Sequence, residues 1–132
     1  MARQNAPLVL VVDDTIETRV LIRRVLQRDR FRVIEADSGE AAIRLIESTR
    51  PDLVVLDLRL PGMSGLDVAS WVRANANPDI ARTKLVACSA SIQPEVQAEA
   101  IAAGCDAFEG KPFDVRTFAA RMRDVLSSRP PG

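Results

Sequence analysis

The sequence predicts an α/β fold: a doubly wound, five-stranded parallel sheet with helices on both faces. Three observations predict it. Short apolar runs rich in β-branched residues alternate with stretches of helical period along the whole chain. Two of those runs, LVLVV at 8–12 and LVVL at 53–56, are unbroken, as strands buried on both faces must be. Each parallel crossover must return over the sheet, and a right-handed return lays its helix on one face or the other.

The strands are expected at LVLVV (8–12), FRVIEA (31–36), DLVVLD (52–57), KLVACS (84–89) and CDAFEG (105–110). A helix follows the first strand, with Leu21, Ile22, Val25 and Leu26 as its core-like set; Ile16 and Val20 stand apart from them at an i, i+4 step. Ser38 reads as the cap of a second helix over GEAAIRLIES, and Ser64 with Asp67 three residues on reads as the capping box of a third. Pro94 suits the first turn of the next. In the last, Val115, Phe118, Ala119, Met122, Val125 and Leu126 recur at three- and four-residue steps and share one stripe. The stretches 1–7 and 129–132 lack periodicity and read as frayed ends around a core at 8–126, within a single domain of 1–132.

A chain of 132 residues holds one domain, and at that size about 68% of the unfolded surface should be buried. Acidic and basic residues balance at 18 each, so net charge points to neither nucleic acid nor an anionic membrane. Histidine and tyrosine are both absent, which removes Ser-His-Asp chemistry, Cys-His chemistry and histidine-based zinc sites together. Cys88 and Cys105 lie in short apolar runs with no CxxC spacing, so they read as buried free thiols of a reducing compartment. The apolar run from Leu8 to Val12 meets Asp13 at once, which fits neither a signal peptide nor a membrane span. The protein is expected to be cytoplasmic.

In such sheets, ligands bind outside the carboxyl ends of the strands. There the first strand ends in Asp13 and Asp14, the third in Asp57, the fourth in Ser89, and the fifth leads to Lys111 and Pro112. With the first strand central and the third and fourth beside it, these side chains converge. Read singly, the acidic pair suits a helix start, Ser89 a loop cap, and Lys111 a surface charge. Asp57 resists that treatment because four buried residues lead into it. Their joint placement at one edge favours a shared site. Three neighbouring carboxylates repel one another unless cations are present. Lys111 supplies one positive charge, and oxygen ligands with room for water suit Mg²⁺ for the remainder. No GxxxxGK[ST] or GxGxxG segment offers a nucleotide loop instead.

The motifs DD at 13–14, LVVLDLRLPGMSG around Asp57, CSAS at 88–91 and FEGKPF at 108–113 resemble the receiver domain of two-component response regulators. The resemblance runs over residues 8–126 in order, and it implies a (βα)5, flavodoxin-like fold with strand order 2-1-3-4-5. It makes Asp57 the phosphoacceptor, taking a phosphoryl group from a histidine kinase or a histidine phosphotransfer protein. Asp14, Asp57 and the backbone carbonyl of Arg59 are the implied Mg²⁺ ligands, with Asp13 acting through water. Lys111 is the implied partner of the phosphoryl group, and the Lys111–Pro112 bond is expected to be cis. Ser89 stands at the family's switch hydroxyl and Phe108 at its switch aromatic, where Phe in place of the frequent Tyr removes a hydroxyl. Arg59 places a long cation two residues after the acceptor, where it bears on acyl-phosphate lifetime. Ile16 and Val20 either widen the core face or form a docking patch for a kinase or phosphotransfer helix.

The implied output is protein contact with a downstream target, with a phosphorylation-dependent homodimer left open. No nucleic-acid or membrane partner is expected, since neither a basic stripe nor a helix-turn-helix segment follows residue 128. The chain is not expected to be an enzyme beyond catalysing its own phosphotransfer and autodephosphorylation. A hydrolytic phosphatase with an aspartyl nucleophile would need an acid two residues on, where Arg59 stands. A receiver that works without phosphate would be expected to lose one of the acidic groups or Lys111, and all are present.

Overall fold

The computed structural model describes residues 6–128. Its strands are β1 (Leu8–Val12), β2 (Arg32–Ala36), β3 (Leu53–Asp57), β4 (Lys84–Ser89) and β5 (Ala107–Gly110). Its helices are α1 (Ile16–Arg28), α2 (Gly39–Thr49), α3 (Gly65–Arg73), α4 (Pro78–Ala81), α5 (Pro94–Ala102) and α6 (Phe118–Ser127). The five strands form one sheet in the order β2-β1-β3-β4-β5, with every pairing parallel.

Alternation along the strands divides the core in two. Leu10, Val12, Val54, Leu56, Leu85 and Ala87 point to the face covered by α2, α3 and α5, where Ile46, Val72 and Ala100 meet them. Their neighbours Val9, Val11, Leu53, Val55, Val86 and Cys88 point to the other face, against Ile22 and Leu26 of α1 and Phe118 and Met122 of α6. Each fully buried large side chain contributes roughly 1.5–3 kcal/mol relative to exposure. The central strands therefore have little freedom to slip, since a shift of one residue would exchange the two faces.

Local chemistry sets the helix ends. Ser38 accepts from the Ala41 amide at 3.1 Å and starts α2. Ser64 and Asp67 form a reciprocal capping box at the start of α3, and Pro94 occupies the first turn of α5.

Four expectations need correction. The helical stripe expected to include Val115 begins only at Phe118: the amides of Thr117 and Phe118 both bond to the Asp114 carbonyl, and this separate turn leaves Val115 exposed. Leu21, placed with the core set, is 44% exposed, because Ile22 and Leu26 already fill the stripe that faces the sheet. The extra turn α4 was not foreseen, although Asn77 caps it through its side chain and Pro78 opens it. Strands two, three and five each begin a residue or two later than their apolar runs. Phe31, for example, bonds back to the Leu26 carbonyl and closes the end of α1. Within the expected N-terminal fray, the carbonyls of Ala6 and Pro7 are bonded by Arg32; residues 1–5 and 129–132 lie outside the described part.

Candidate functional site

Parallel pairing with β1 and β3 side by side brings Val12 opposite Leu56, so the residues that follow, Asp13 and Asp57, emerge together at the carboxyl edge. Both are buried, at 2% and 7% exposure. Asp13 is held on four sides. Its amide donates to the Ala36 carbonyl at 3.1 Å, Thr15 donates its amide to Oδ1 at 2.9 Å, Arg19 bonds its carbonyl at 2.8 Å, and Lys111 donates to Oδ2 at 2.7 Å. Asp14 is exposed, and the hydroxyl of Thr15 at 3.5 Å is its sole side-chain hydrogen bond among the described residues.

Asp57 receives the Arg59 amide on Oδ1 at 3.0 Å, while Lys111 Nζ stands 3.3 Å from Oδ2. Burial raises the Asp57 carboxyl above its ordinary range and the Asp13 charge adds to this, against the opposing pull of the Arg59 amide and Lys111. For Lys111, burial alone would lower the ammonium, but the bond to Asp13 and the charge of Asp57 outweigh it and hold Lys111 above its ordinary value.

Main-chain contacts fix the supporting loops. The Lys111 amide donates to the Ser89 carbonyl at 2.8 Å, and the Lys111–Pro112 peptide is cis. Ser89 is buried, and its Oγ accepts the Ser91 amide at 3.1 Å, which closes a turn after β4. Phe108 is half-buried against the α2/α3/α5 face of the core. Gly65 fits where it does because it lacks a side chain: a Cβ there would lie 2.3 Å from the Asp57 carbonyl oxygen. Arg59 carries an exposed side chain, and its carbonyl meets no hydrogen-bond donor among the described residues.

Oxygens of Asp13, Asp14 and Asp57 lie within 4.8 Å of one another. Three carboxylates against one ammonium leave a local excess of negative charge, and every available donor is a hard oxygen. The exposed Asp14 leaves lone pairs for a cation. This donor set suits Mg²⁺, with water completing its shell.

All the site residues expected from the sequence thus lie around one edge, with Phe108 one step removed on β5 and Ile16 and Val20 outside it on α1. Ile16 is 59% exposed and Val20 half-buried. The sequence reasoning missed Arg19, which bonds the Asp13 carbonyl, and the steric role of Gly65 beneath Asp57. Only its place directly after the Ser64 cap hinted at the second, and nothing in the helical period singled out Arg19.

A doubly wound sheet with this acidic edge and a lysine after its last strand defines the class: the receivers of two-component signalling. Residues 9–123 match the profile of the response regulator receiver domain, and the chain belongs to that family. It is 35% identical over 119 residues to the transcriptional regulatory protein KdpE of Mycobacterium tuberculosis, covering 90% of this chain and 50% of that protein. It is 34% identical over 122 residues to the sensor histidine kinase AruS of Pseudomonas aeruginosa, covering 92% of this chain and 12% of that protein. Among solved structures, the chemotaxis response regulator CheY4 of Vibrio cholerae matches with a TM-score of 0.84 at 27% identity, over 91% of this chain and 98% of that one. The chain therefore spans about half the length of the regulator and about an eighth of the kinase. Among the described residues, no helix is long and apolar enough to cross a membrane.

Proposed function

We propose that this chain is a phosphoacceptor response regulator that carries its signal as an acyl phosphate on Asp57. The observation that supports this reading best is the single ammonium of Lys111, which stands 2.7 Å from Asp13 and 3.3 Å from Asp57 beside the exposed carboxylate of Asp14. An ammonium placed between carboxylates of two strands is poised for an anion that arrives at Asp57.

A carboxylate oxygen of Asp57 attacks the phosphorus of a phosphohistidine on a histidine kinase or histidine phosphotransfer protein. The P–N bond breaks, its electron pair leaves with the imidazole, and the imidazole takes up a proton. Asp57 is left as a mixed acyl phosphate. Asp14, Asp57 and the Arg59 carbonyl would hold Mg²⁺, with Asp13 supporting it through water, and the ion would supply positive charge against the phosphoryl oxygens. The Arg59 amide orients Asp57 for attack, and Lys111 pairs with a phosphoryl oxygen afterwards. Autodephosphorylation at the same site returns the phosphoryl group to water.

Ser89 supplies the hydroxyl that meets the new dianion, and its loop moves with it. Phe108 then turns inward, and the changed surface of α5, β5 and α6 is read by a downstream protein. The signal is passed by protein contact in the cytoplasm.

Intact mass tests the reading. With Mg²⁺ and acetyl phosphate the wild type should gain one phosphoryl group, and Asp57→Asn should gain none. A wild type that stays unmodified with Mg²⁺ and an active kinase as well would overturn it.

A further inference from the structure

Arg19 lies on the second turn of α1, its side chain only 15% exposed, and its guanidinium joins three elements. One arm bonds the Asp13 carbonyl at 2.8 Å, at the point where β1 gives way to the loop. Another meets Glu35 Oε1 on β2 at 3.0 Å, and the second oxygen of Glu35 is taken by Arg23 one turn further along α1. Glu35 therefore fixes the fork of Arg19, and Arg19 fixes the loop.

That loop carries the acidic pair. The Asp13 side chain is held separately by Thr15 and Lys111, but the direction in which Asp14 leaves the chain depends on the peptide that joins it to Asp13. The carbonyl of that peptide is the one Arg19 holds. Among the described residues the Asp14 side chain has only the long bond from Thr15, so its orientation is set chiefly by the backbone.

We infer that Arg19 is a positioning residue for the cation site: by gripping the Asp13 carbonyl from the Glu35 side it presets the peptide that aims Asp14. The inference rests on the reading of this edge as a Mg²⁺-dependent phosphoacceptor site. A planar fork suits the task because it engages a carbonyl and a carboxylate together, which a lysine ammonium does less rigidly. Groups that orient metal ligands from behind typically govern metal affinity by 10–100-fold.

The sign of the effect separates positioning from plain electrostatics. Arg19 is a cation behind an acidic cluster, so if it acted by charge alone its removal would tighten Mg²⁺ binding. Positioning requires the opposite. Mg²⁺ affinity is to be measured by isothermal titration calorimetry for the wild type, Arg19→Gln and Arg19→Lys, with exchange of the Thr15 amide followed in the metal-free proteins. Arg19→Gln should bind Mg²⁺ about tenfold more weakly and exchange the Thr15 amide faster. The Mg²⁺ concentration for half-maximal phosphoryl incorporation should rise, with the maximal rate kept. Arg19→Lys keeps the charge and with it the best prospect of folding, and it should lose part of the affinity. Unchanged or tighter Mg²⁺ binding in either folded variant overturns the inference. A wild type that binds no Mg²⁺ defeats the underlying reading of the site instead.

Discussion

Lys111 Nζ lies 2.7 Å from Oδ2 of Asp13, a residue 98 positions away and buried at the end of β1. The contact ties the last loop of the fold to its first strand. Replacing Lys111 by Met leaves the buried Asp13 and Asp57 without their shared counter-charge. Charge-assisted bonds of this kind are worth roughly 1.5–3 kcal/mol, so metal-free Lys111→Met should lose about that much stability at pH 7. The loss should shrink in acid as the raised carboxyl of Asp57 takes up its proton. Urea unfolding at several pH values checks it, and a loss that does not vary with pH would show that packing, not charge, is responsible.

The raised carboxyl of Asp57 has its own pH signature. Between the unfolded value of 3.8 and its higher folded value, the folded state binds more protons than the unfolded one. Stability therefore falls as pH rises through that window. Asp57→Asn carries no such penalty, so without metal it should be more stable than wild type at neutral pH. The gap should close as pH drops below 3.8. Denaturant midpoints in the presence of chelator measure this, and an Asn variant less stable at pH 7 would contradict it.

Gly65 should not tolerate a methyl group. The added Cβ would sit 2.3 Å from the Asp57 carbonyl oxygen and 2.8 Å from Leu58 Cα, both of them backbone. Alanine's better helix propensity, about 1 kcal/mol, is smaller than a backbone clash that cannot be relieved by a rotamer change. Gly65→Ala should lose roughly 1–3 kcal/mol and incorporate phosphoryl more slowly, because the shift lands on the acceptor. Thermal unfolding together with the incorporation rate checks both halves.

Arg73 offers a contrast at the opposite edge of the sheet. Its guanidinium bonds the carbonyls of Gly104, Ala81 and Thr83 and the carboxylate of Asp106, joining α3 to the loops that precede β4 and β5. Lysine cannot reproduce this fork. Arg73→Lys should cost about 1–3 kcal/mol while leaving the Mg²⁺ affinity of the distant site unchanged. A large loss of Mg²⁺ affinity would show the two edges to be coupled.

The legible parts of this fold were those written in local patterns. Unbroken apolar runs gave the strands, cap residues such as Ser38 and Ser64 gave helix starts, and strand ends gave the positions of Asp13, Asp57 and Ser89. Val115 and Leu21 misled because each continues a helical period that the tertiary structure does not use. Arginine was harder still. Arg19 and Arg73 fold inward onto backbone carbonyls while Arg59 points to solvent, and that choice depends on where distant loops place their acceptors. The pairing of Lys111 with Asp13, closer than that with Asp57, is likewise set by geometry between loops far apart in sequence.

The central claim is that the phosphoryl group resides on one particular carboxylate, and chemical trapping tests it most directly. After incubation with Mg²⁺ and a phosphoryl donor, borohydride reduces an acyl phosphate to the alcohol and so converts the modified aspartate into homoserine. Peptide mass spectrometry should find homoserine at position 57 in the wild type and none in Asp57→Asn. Homoserine at Asp13 or Asp14, or none at all in a chain that has demonstrably bound Mg²⁺, would contradict the account.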